Sequence, residues 1–367
     1  MNQKNFSIRR FVMSDMQNVV ELLQIVFKHP FSYDWWNWKF KSNPAGFWGE
    51  EGDMWVAESN GRLIGYYAIM PEKLKFGSET ITVAQSVDTA THPDFRGMGI
   101  FPTLAQKVYM ESRNRYRFIY GYPSEMAFKG FSRLGWKDFR IIEFIRFLDY
   151  DRPLGEYSKN RLAIWFAKVF LKTLVALKSV STAIRSRKYE SIESEIEEVE
   201  QFQNEMDDFW RAAEADKEIA VERTAAFLNW RFSRRFGDYK IYIARSVKDH
   251  KVTGYLVLKK TEIWKFQNVL DIVDILALSG EERLISRFIQ IAIRIAKQEK
   301  LDLIHCRVSS WHKYAQVLSE NNFIALNRIF EWLKIYQPRF ILYQYSPEKP
   351  LPEVERWFYS LADTDYA

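Results

Sequence analysis

Apolar and polar positions along the chain follow two rhythms, period two for half-buried strands and about 3.6 for amphipathic helices. Residues 6–12 alternate like a strand. Ser14 then stands where it can cap a helix whose apolar positions Val19, Leu22, Leu23 and Val26 recur at helical spacing. A short Trp-rich helix over 35–40 ends before Asn43-Pro44. Strands are predicted at 55–58, 63–70 and 81–91, followed by a glycine-rich turn and a helix over 101–114. A strand at 118–122, a helix at 124–134 and a last strand pair over 136–148 complete this series.

A second series has the same order. A helix around 224–232 precedes strands at 240–244, 253–259 and 269–278, a helix over 282–298, a strand at 301–308, a helix at 311–321 and a strand at 325–334. Short matches tie the two together. Asn37-Trp38-Lys39-Phe40 recurs as Asn229-Trp230-Arg231-Phe232, Gly65-Tyr66 as Gly254-Tyr255, Val87-Asp88 as Val273-Asp274, and Gly135-Trp136 lies opposite Asn322-Phe323. The offsets, 192, 189, 186 and 187 residues, are nearly constant. Strands first, then helix–strand–helix–strand, imply a mixed, mostly antiparallel sheet flanked by helices. The expected fold class is α/β (α+β), with two such domains at 1–150 and 223–335, a helical linker at 151–222 and a C-terminal tail at 336–367.

The linker changes the picture in one respect. Residues 162–177 are mostly apolar, yet Lys168, Lys172 and Lys178 interrupt them on one side. That is too charged for a membrane span. It fits either a packed inter-domain helix with a solvated edge or a basic amphipathic helix on a membrane surface, a possible peripheral contact through 162–178. The acidic run 190–200 reads as a solvated linker or a helix start. Composition adds bounds rather than identity. The net charge of +6 comes without any block that would mark a nucleic-acid tail. The single cysteine, Cys306, excludes an intramolecular disulfide and a cysteine-ligated zinc cluster. His305-Cys306 lies on an expected buried strand with no metal set around it. The start has no apolar signal region, so the cytoplasm is the expected compartment.

One stretch carries chemistry. In Thr91-His92-Pro93-Asp94-Phe95-Arg96-Gly97-Met98-Gly99-Ile100-Phe101 a strand enters a turn of closely spaced glycines and a helix begins. Positions without side chains let backbone N–H groups crowd an anion, the helix N-terminus adds unpaired donors, and Arg96 adds a full charge. This is a pyrophosphate cradle, and it lacks the Gly-Lys-Ser/Thr ending of a nucleotide-triphosphate loop.

Here the sequence resembles the GNAT superfamily of N-acetyltransferases. The family pattern Arg/Gln-x-x-Gly-x-Gly/Ala after the fourth strand matches Arg96-Gly97-Met98-Gly99, except that Phe101 replaces the last small residue. The later Phe131-Ser132-Arg133-Leu134-Gly135-Trp136 is similar to the family's helix followed by Leu-Gly-aromatic. The resemblance covers residues 6–149 well, and 223–335 only in element order. It implies a sheet whose fourth and fifth strands splay around the thioester of acetyl-CoA, used as co-substrate. It implies a cradle made of Arg96, Gly97, Met98, Gly99, Ile100 and Phe101, and main-chain groups at Ala90 and Thr91 that hold the carbonyl oxygen. Many members place a Tyr where this chain has Phe131, to protonate the leaving thiolate. Phe cannot donate, so Tyr122 and Glu125 become candidates for that role. Asp88, His92 and Glu125 are candidate bases, each with a plainer account: a buried Asp bonded to backbone, a structural turn histidine, a carboxylate favouring the helix dipole.

The second series lacks the cradle, since Glu282 falls opposite Arg96 and two carboxylates, Glu281 and Glu282, would repel a pyrophosphate. Its expected contribution is half of an acceptor cleft. Asp363-Thr364-Asp365 reads either as a chain-end carboxylate pair reaching a cleft or, more simply, as a frayed acidic tail. The expected activity is direct acyl transfer from acetyl-CoA to a primary amine of a small molecule such as an amino sugar, with no nucleic acid involved. A Fem-type aminoacyl transferase and a non-catalytic CoA-binding scaffold are the alternatives.

Overall fold

The computed structural model describes residues 6–47, 52–157, 159–183, 193–263, 266–309, 313–326, 338–346, 353 and 356–364. Its contacts divide the chain into two units, Met1–Arg140 with Pro338–Pro352, and Ile141–Gln337 with Glu353–Ala367.

The first unit contains strands β1 (Ser7–Arg10), β2 (Met54–Ser59), β3 (Arg62–Phe76), β4 (Glu79–Thr91), β5 (Phe118–Gly121) and β6 (Lys137–Arg140). Its helices are α1 (Met16–Phe27), α2 (Tyr33–Trp36), α3 (Ile100–Ser112) and α4 (Glu125–Ser132), and a π-helical turn, Asn37–Lys41, extends α2. The sheet order is β1-β2-β3-β4-β5-β15-β6, where β15 is Arg339–Gln344. All neighbours pair antiparallel except β4 and β5. Trp55, Tyr67, Ile69, Ala84, Ile119 and Ile341 from the sheet bury against Ile100, Leu104 and Val108 of α3 and Phe131 of α4.

The second unit holds strands β7 (Glu143–Phe147), β8 (Ser194–Val199), β9 (Ile219–Val221), β10 (Tyr239–Ser246), β11 (Val252–Ile263), β12 (Phe266–Ala277), β13 (Leu303–Arg307), β14 (Ile324–Ala325) and β16 (Trp357–Phe358). Helices α5 (Asp151–Tyr157), α6 (Arg161–Ala183), α7 (Glu205–Ala213), α8 (Ala225–Arg231), α9 (Glu282–Gln298) and α10 (Lys313–Glu320) accompany them. The sheet order is β8-β10-β11-β12-β13-β7-β14, antiparallel except for β12 and β13. The seven-strand paths of the two sheets therefore agree in order and sense. Gly65 and Gly254 show why their repeat is physical. A Cβ on Gly65 would stand 2.7 Å from Ile100 of α3, and one on Gly254 would stand 2.9 Å from Leu284 of α9. Each glycine is at a close approach of a helix to its sheet.

Several segments lie elsewhere than the chain order predicts. The strand pair expected at 136–148 is two strands in different sheets, β6 beside β15 and β7 beside β13. The expected tail supplies β15, and the expected linker supplies β8. An alternating strand carries no mark of which sheet will take it. Within the acidic run, 190–192 lie outside the described residues, and Ser194–Val199 is the edge strand β8, neither linker nor helix start. Its carboxylates meet cross-strand partners, Glu197 with Arg245 at 2.8 Å and Glu198 with the Tyr242 hydroxyl at 2.9 Å, and charge is tolerated on an edge. The C-terminal residues through Thr364 are not frayed: Leu361, Ala362 and Asp363 form a buried 3-10 turn capped by Ser360. Asp365 lies outside the described residues. No helix among the described residues is long and apolar enough to cross a membrane.

Candidate acyl-CoA site

The site is built where β4 parts from β5. Only Ala84↔Ile119 and Gln85↔Tyr120 pair, although β4 continues to Thr91. From Ser86 onward β4 has no strand partner on that side among the described residues, so the two strands make a fork. Gly121 closes its base, where an added Cβ would lie 3.4 Å from both the Cβ and the carbonyl oxygen of Ser86. The β3–β4 register shifts between Tyr66 and Ala68, placing an extra residue in β4 at Asp88–Thr89, and Asp88 adopts φ +50°. Such a bulge bends the strand and re-aims side chains.

Alternation in the ladder orients the backbone. The His92 amide donates to Ile64 O at 2.9 Å, toward β3. The Thr91 amide therefore turns the other way, into the gap that β5 has left. The gap leads to the loop. Gly97 and Gly99 have φ of +80° and +77°, the left-handed region that favours glycine. Among the described residues none supplies an acceptor to the amides of Gly97, Met98, Gly99, Ile100 or Phe101, as expected at the start of α3. Arg96 is exposed, and no described residue bonds its guanidinium. The predicted cradle residues are thus together, with amide donors that no described residue takes up. Phe101 takes the place of a small residue because Gly130 of α4 makes room: a Cβ there would lie 2.7 Å from the Phe101 ring.

The other candidates separate. Asp88 is buried, and its Oδ1 accepts from Lys39 Nζ at 2.9 Å. That ammonium also lies 4.7 Å from the Trp35 ring centroid. His92 is a cap: its Nδ1 is 3.3 Å from the Asp94 amide and its Nε2 2.7 Å from Arg62. Glu125 is exposed in the first turn of α4. Tyr122 is buried against Tyr120 and Phe340. Phe131 lies in the core, 5.0 Å from Phe101 and 4.8 Å from Trp136 between ring centroids.

Sequence patterns missed the polar groups at the base of the fork. The Ser86 hydroxyl, half-buried at the first unpaired position of β4, bonds Tyr67 Oη at 3.0 Å. Burial pushes the Tyr67 phenol up, and its bonds with Ser86 and Tyr109 only partly offset this. On the face that carries Asp88, Glu72 accepts a short hydrogen bond from Tyr120, and Gln85 is buried at the last rung. The signal was present in part, since Lys39 sits in a repeated tetrapeptide, but nothing in the pattern joined it to Asp88.

In the second unit the corresponding place is shut. Leu278 N donates to Thr253 O at 3.0 Å, as His92 does to Ile64, and the Ala277 amide donates to the Tyr314 hydroxyl at 2.8 Å. Asn322 and Gly135 both end their helices at positive φ. That fixes the alignment and places Ala127 of α4 opposite Tyr314 of α10. The strands β12 and β13 stay paired one rung longer, through Ile272↔Cys306. The loop after β12 has a single left-handed glycine, Gly280, and Glu282 at the helix start pairs with Lys313 at 3.0 Å.

Residues 7–138 match the family model described as an acetyltransferase (GNAT) domain. Among solved structures the chain is similar to a GCN5-related N-acetyltransferase from Anabaena variabilis, at 16% identity and TM-score 0.59, covering 93% of this chain and 73% of that one. It is also similar to a probable N-acyltransferase from Enterococcus faecalis, at 11% identity and TM-score 0.59, covering 93% and 72%. A third is Saccharomyces cerevisiae N-myristoyltransferase, solved with myristoyl-CoA bound, at 10% identity and TM-score 0.54, covering 92% and 78%. These identities establish the fold. No curated protein matches the sequence. The match to the acetyltransferase (GNAT) domain thus spans residues 7–138 of the 367, and the likeness to the solved structures adds the fold.

Proposed function

We propose that the first unit transfers an acyl group directly from acetyl-CoA to a primary amine of a small molecule, an amino sugar being one candidate. One observation carries this reading: the fork opened between β4 and β5 runs from the Thr91 amide to the amide donors of Gly97 to Phe101. Arg96 and those amides bind the pyrophosphate. The Thr91 amide, next to Ala90, holds the thioester carbonyl as charge develops on its oxygen. The amine nitrogen bonds to the carbonyl carbon, the carbon–sulfur bond breaks, and the amine loses a proton. Asp88, reached directly or through water, accepts that proton, and Lys39 positions it. Ser86 stands at the fork base, where its hydroxyl donates to Tyr67 Oη; turned from Tyr67 to the leaving sulfur, the same proton takes the place of the one a Tyr at Phe131 would give. The closeness of Gly121 to Ser86 and the rings of Tyr67, Phe101 and Phe131 behind them favour a short acyl group over a long one.

The test is calorimetry of the full chain with acetyl-CoA, followed by thiol release with a panel of amines. One site per chain is expected. Arg96→Ala should weaken binding by about 1.5–3 kcal/mol, the range for hydrogen bonds to charged groups. Glu282→Ala should leave it unchanged. Absence of binding overturns the cradle, and binding without turnover by any amine makes the chain a CoA-binding scaffold.

A further inference from the structure

Large apolar side chains exposed to solvent concentrate on one helix. On α6, Leu162 is 70% exposed, Trp165 56%, Phe166 64%, Val169 43% and Phe170 58%. They fall at i, i+3, i+4, i+7 and i+8, one continuous face. Leu171, on the opposite side of the helix, is buried. The helix thus packs inward by the Leu171 side and turns an aromatic stripe outward, where a contiguous apolar patch marks an interaction surface.

The border of the stripe is basic. Arg161, Lys168 and Lys172 fall within about 40° of one another at 3.6 residues per turn, beside Trp165. Lys168 makes only an exposed pair with Asp151, and Lys172 lies 5.6 Å from the Tyr150 ring centroid. From 151 to 190 the sequence has nine Lys or Arg against three Asp or Glu, an excess equal to the +6 of the whole chain. In sequence, therefore, the segment that contains this helix carries an excess as large as that of the whole chain. Helix α6 itself contains no Asp or Glu, so the same helix of a second copy would offer its basic row no counter-charge. A bilayer of anionic lipid offers both partners, phosphates for the row and acyl chains for the stripe.

We propose that α6 docks the protein on anionic membrane surfaces. Leu162, Trp165, Phe166, Val169 and Phe170 sink into the boundary between headgroups and acyl chains, and Arg161, Lys168 and Lys172 lie on lipid phosphates. Lysine and arginine stems cover the edge of the apolar face while their heads stay with the headgroups.

The experiment is sedimentation of the full chain with vesicles of phosphatidylcholine alone or mixed with phosphatidylglycerol, without any CoA, so its outcome is separate from the acyl-transfer reading. Binding is expected to the mixed vesicles only and should fall with added salt. Lys168→Gln and Lys172→Gln should each weaken the partition by about fivefold. Trp165→Ser combined with Phe166→Ser should abolish binding and leave circular dichroism and the melting temperature unchanged, because both side chains are exposed. Equal binding to neutral vesicles, or binding that survives the double substitution, overturns the proposal. A double variant that turns an oligomer into a monomer on gel filtration also overturns it and assigns the stripe to a second copy.

Discussion

Thr91 and Ala277 occupy the same rung of two sheets with the same strand order. In both units the next residue's amide closes the ladder with the third strand, at His92→Ile64 and Leu278→Thr253. What differs is what faces the rung. Ala277 N–H meets the Tyr314 hydroxyl, also bonded to the Ala277 carbonyl, whereas Ala127 stands at the equivalent position in the first unit. The charge pairs differ too. Asp88 has Lys39, while Asp274 accepts from Arg223 Nε at 2.8 Å and from the Tyr255 hydroxyl at 2.7 Å. Arg223 also bonds Asp363 at 2.7 Å, and all of these groups are fully buried. One copy keeps an open fork with donors waiting; the other has spent the same backbone groups on internal bonds and become a structural element.

The largest expected effect comes from breaking the closed copy. Arg223→Met leaves Asp274 and Asp363 buried together without a cation and should cost about 3–5 kcal/mol in urea unfolding. A loss under about 1 kcal/mol would mean that the buried Arg223 cluster does not hold the second unit together. Next comes the attempt to close the open copy. Ala127→Tyr should fill the fork as Tyr314 does and weaken acetyl-CoA binding, while the overpacking costs the fold about 1–3 kcal/mol and leaves it standing. Normal affinity in this variant would show that the fork is not the acyl channel.

A third contrast is in pH. His305 lies between Asp271, 2.7 Å from Nδ1, and Glu143, with Arg307 also on Glu143. Burial alone would lower the His305 pKa, but the carboxylates of Glu143 and Asp271 outweigh it and raise it to about 9. Burial alone would raise Glu143, and Arg307 and His305 instead bring it down to about 2. The His305 contribution is complete below its ordinary value near 6.5 and is lost as pH rises through about 9. The Glu143 contribution is complete above its ordinary 4.5 and is lost as pH falls toward about 2. Melting temperatures should peak between those limits, and His305→Gln should flatten the alkaline side. An unchanged alkaline slope would remove the cluster from the account. The smallest effect is expected at Phe131→Tyr, which adds a hydroxyl inside a packed aromatic core at about 1–3 kcal/mol of stability if unpartnered. Turnover should hold or rise; a large fall would show that ring packing at Phe131 sets the fork.

The loop could be read from the chain because each of its residues acts locally: left-handed glycines, a helix start and a free arginine need no distant partner. The paired elements were legible for a similar reason, since Gly65 and Gly254 are close approaches that leave a mark on composition. The Lys39–Asp88 pair, the Ser86–Tyr67 bond and the Tyr314 plug join residues 49, 19 and 37 positions apart, and no periodicity reports such contacts. Asp363 read as part of a frayed tail for the same reason, because its partner Arg223 is 140 positions away.

The placement of β15 has a consequence for how the protein is made. Strand β15 stands between β5 and β6, but the ribosome produces it about two hundred residues after both. Until then β5 and β6 have bare edges, each ready to pair with a neighbouring chain. The first unit is begun first and finished last. Such long-range closure is slow and exposes intermediates to aggregation. A nascent chain halted near residue 300 would hold the whole glycine loop at 96–101 and still lack the strand that completes the sheet beneath it.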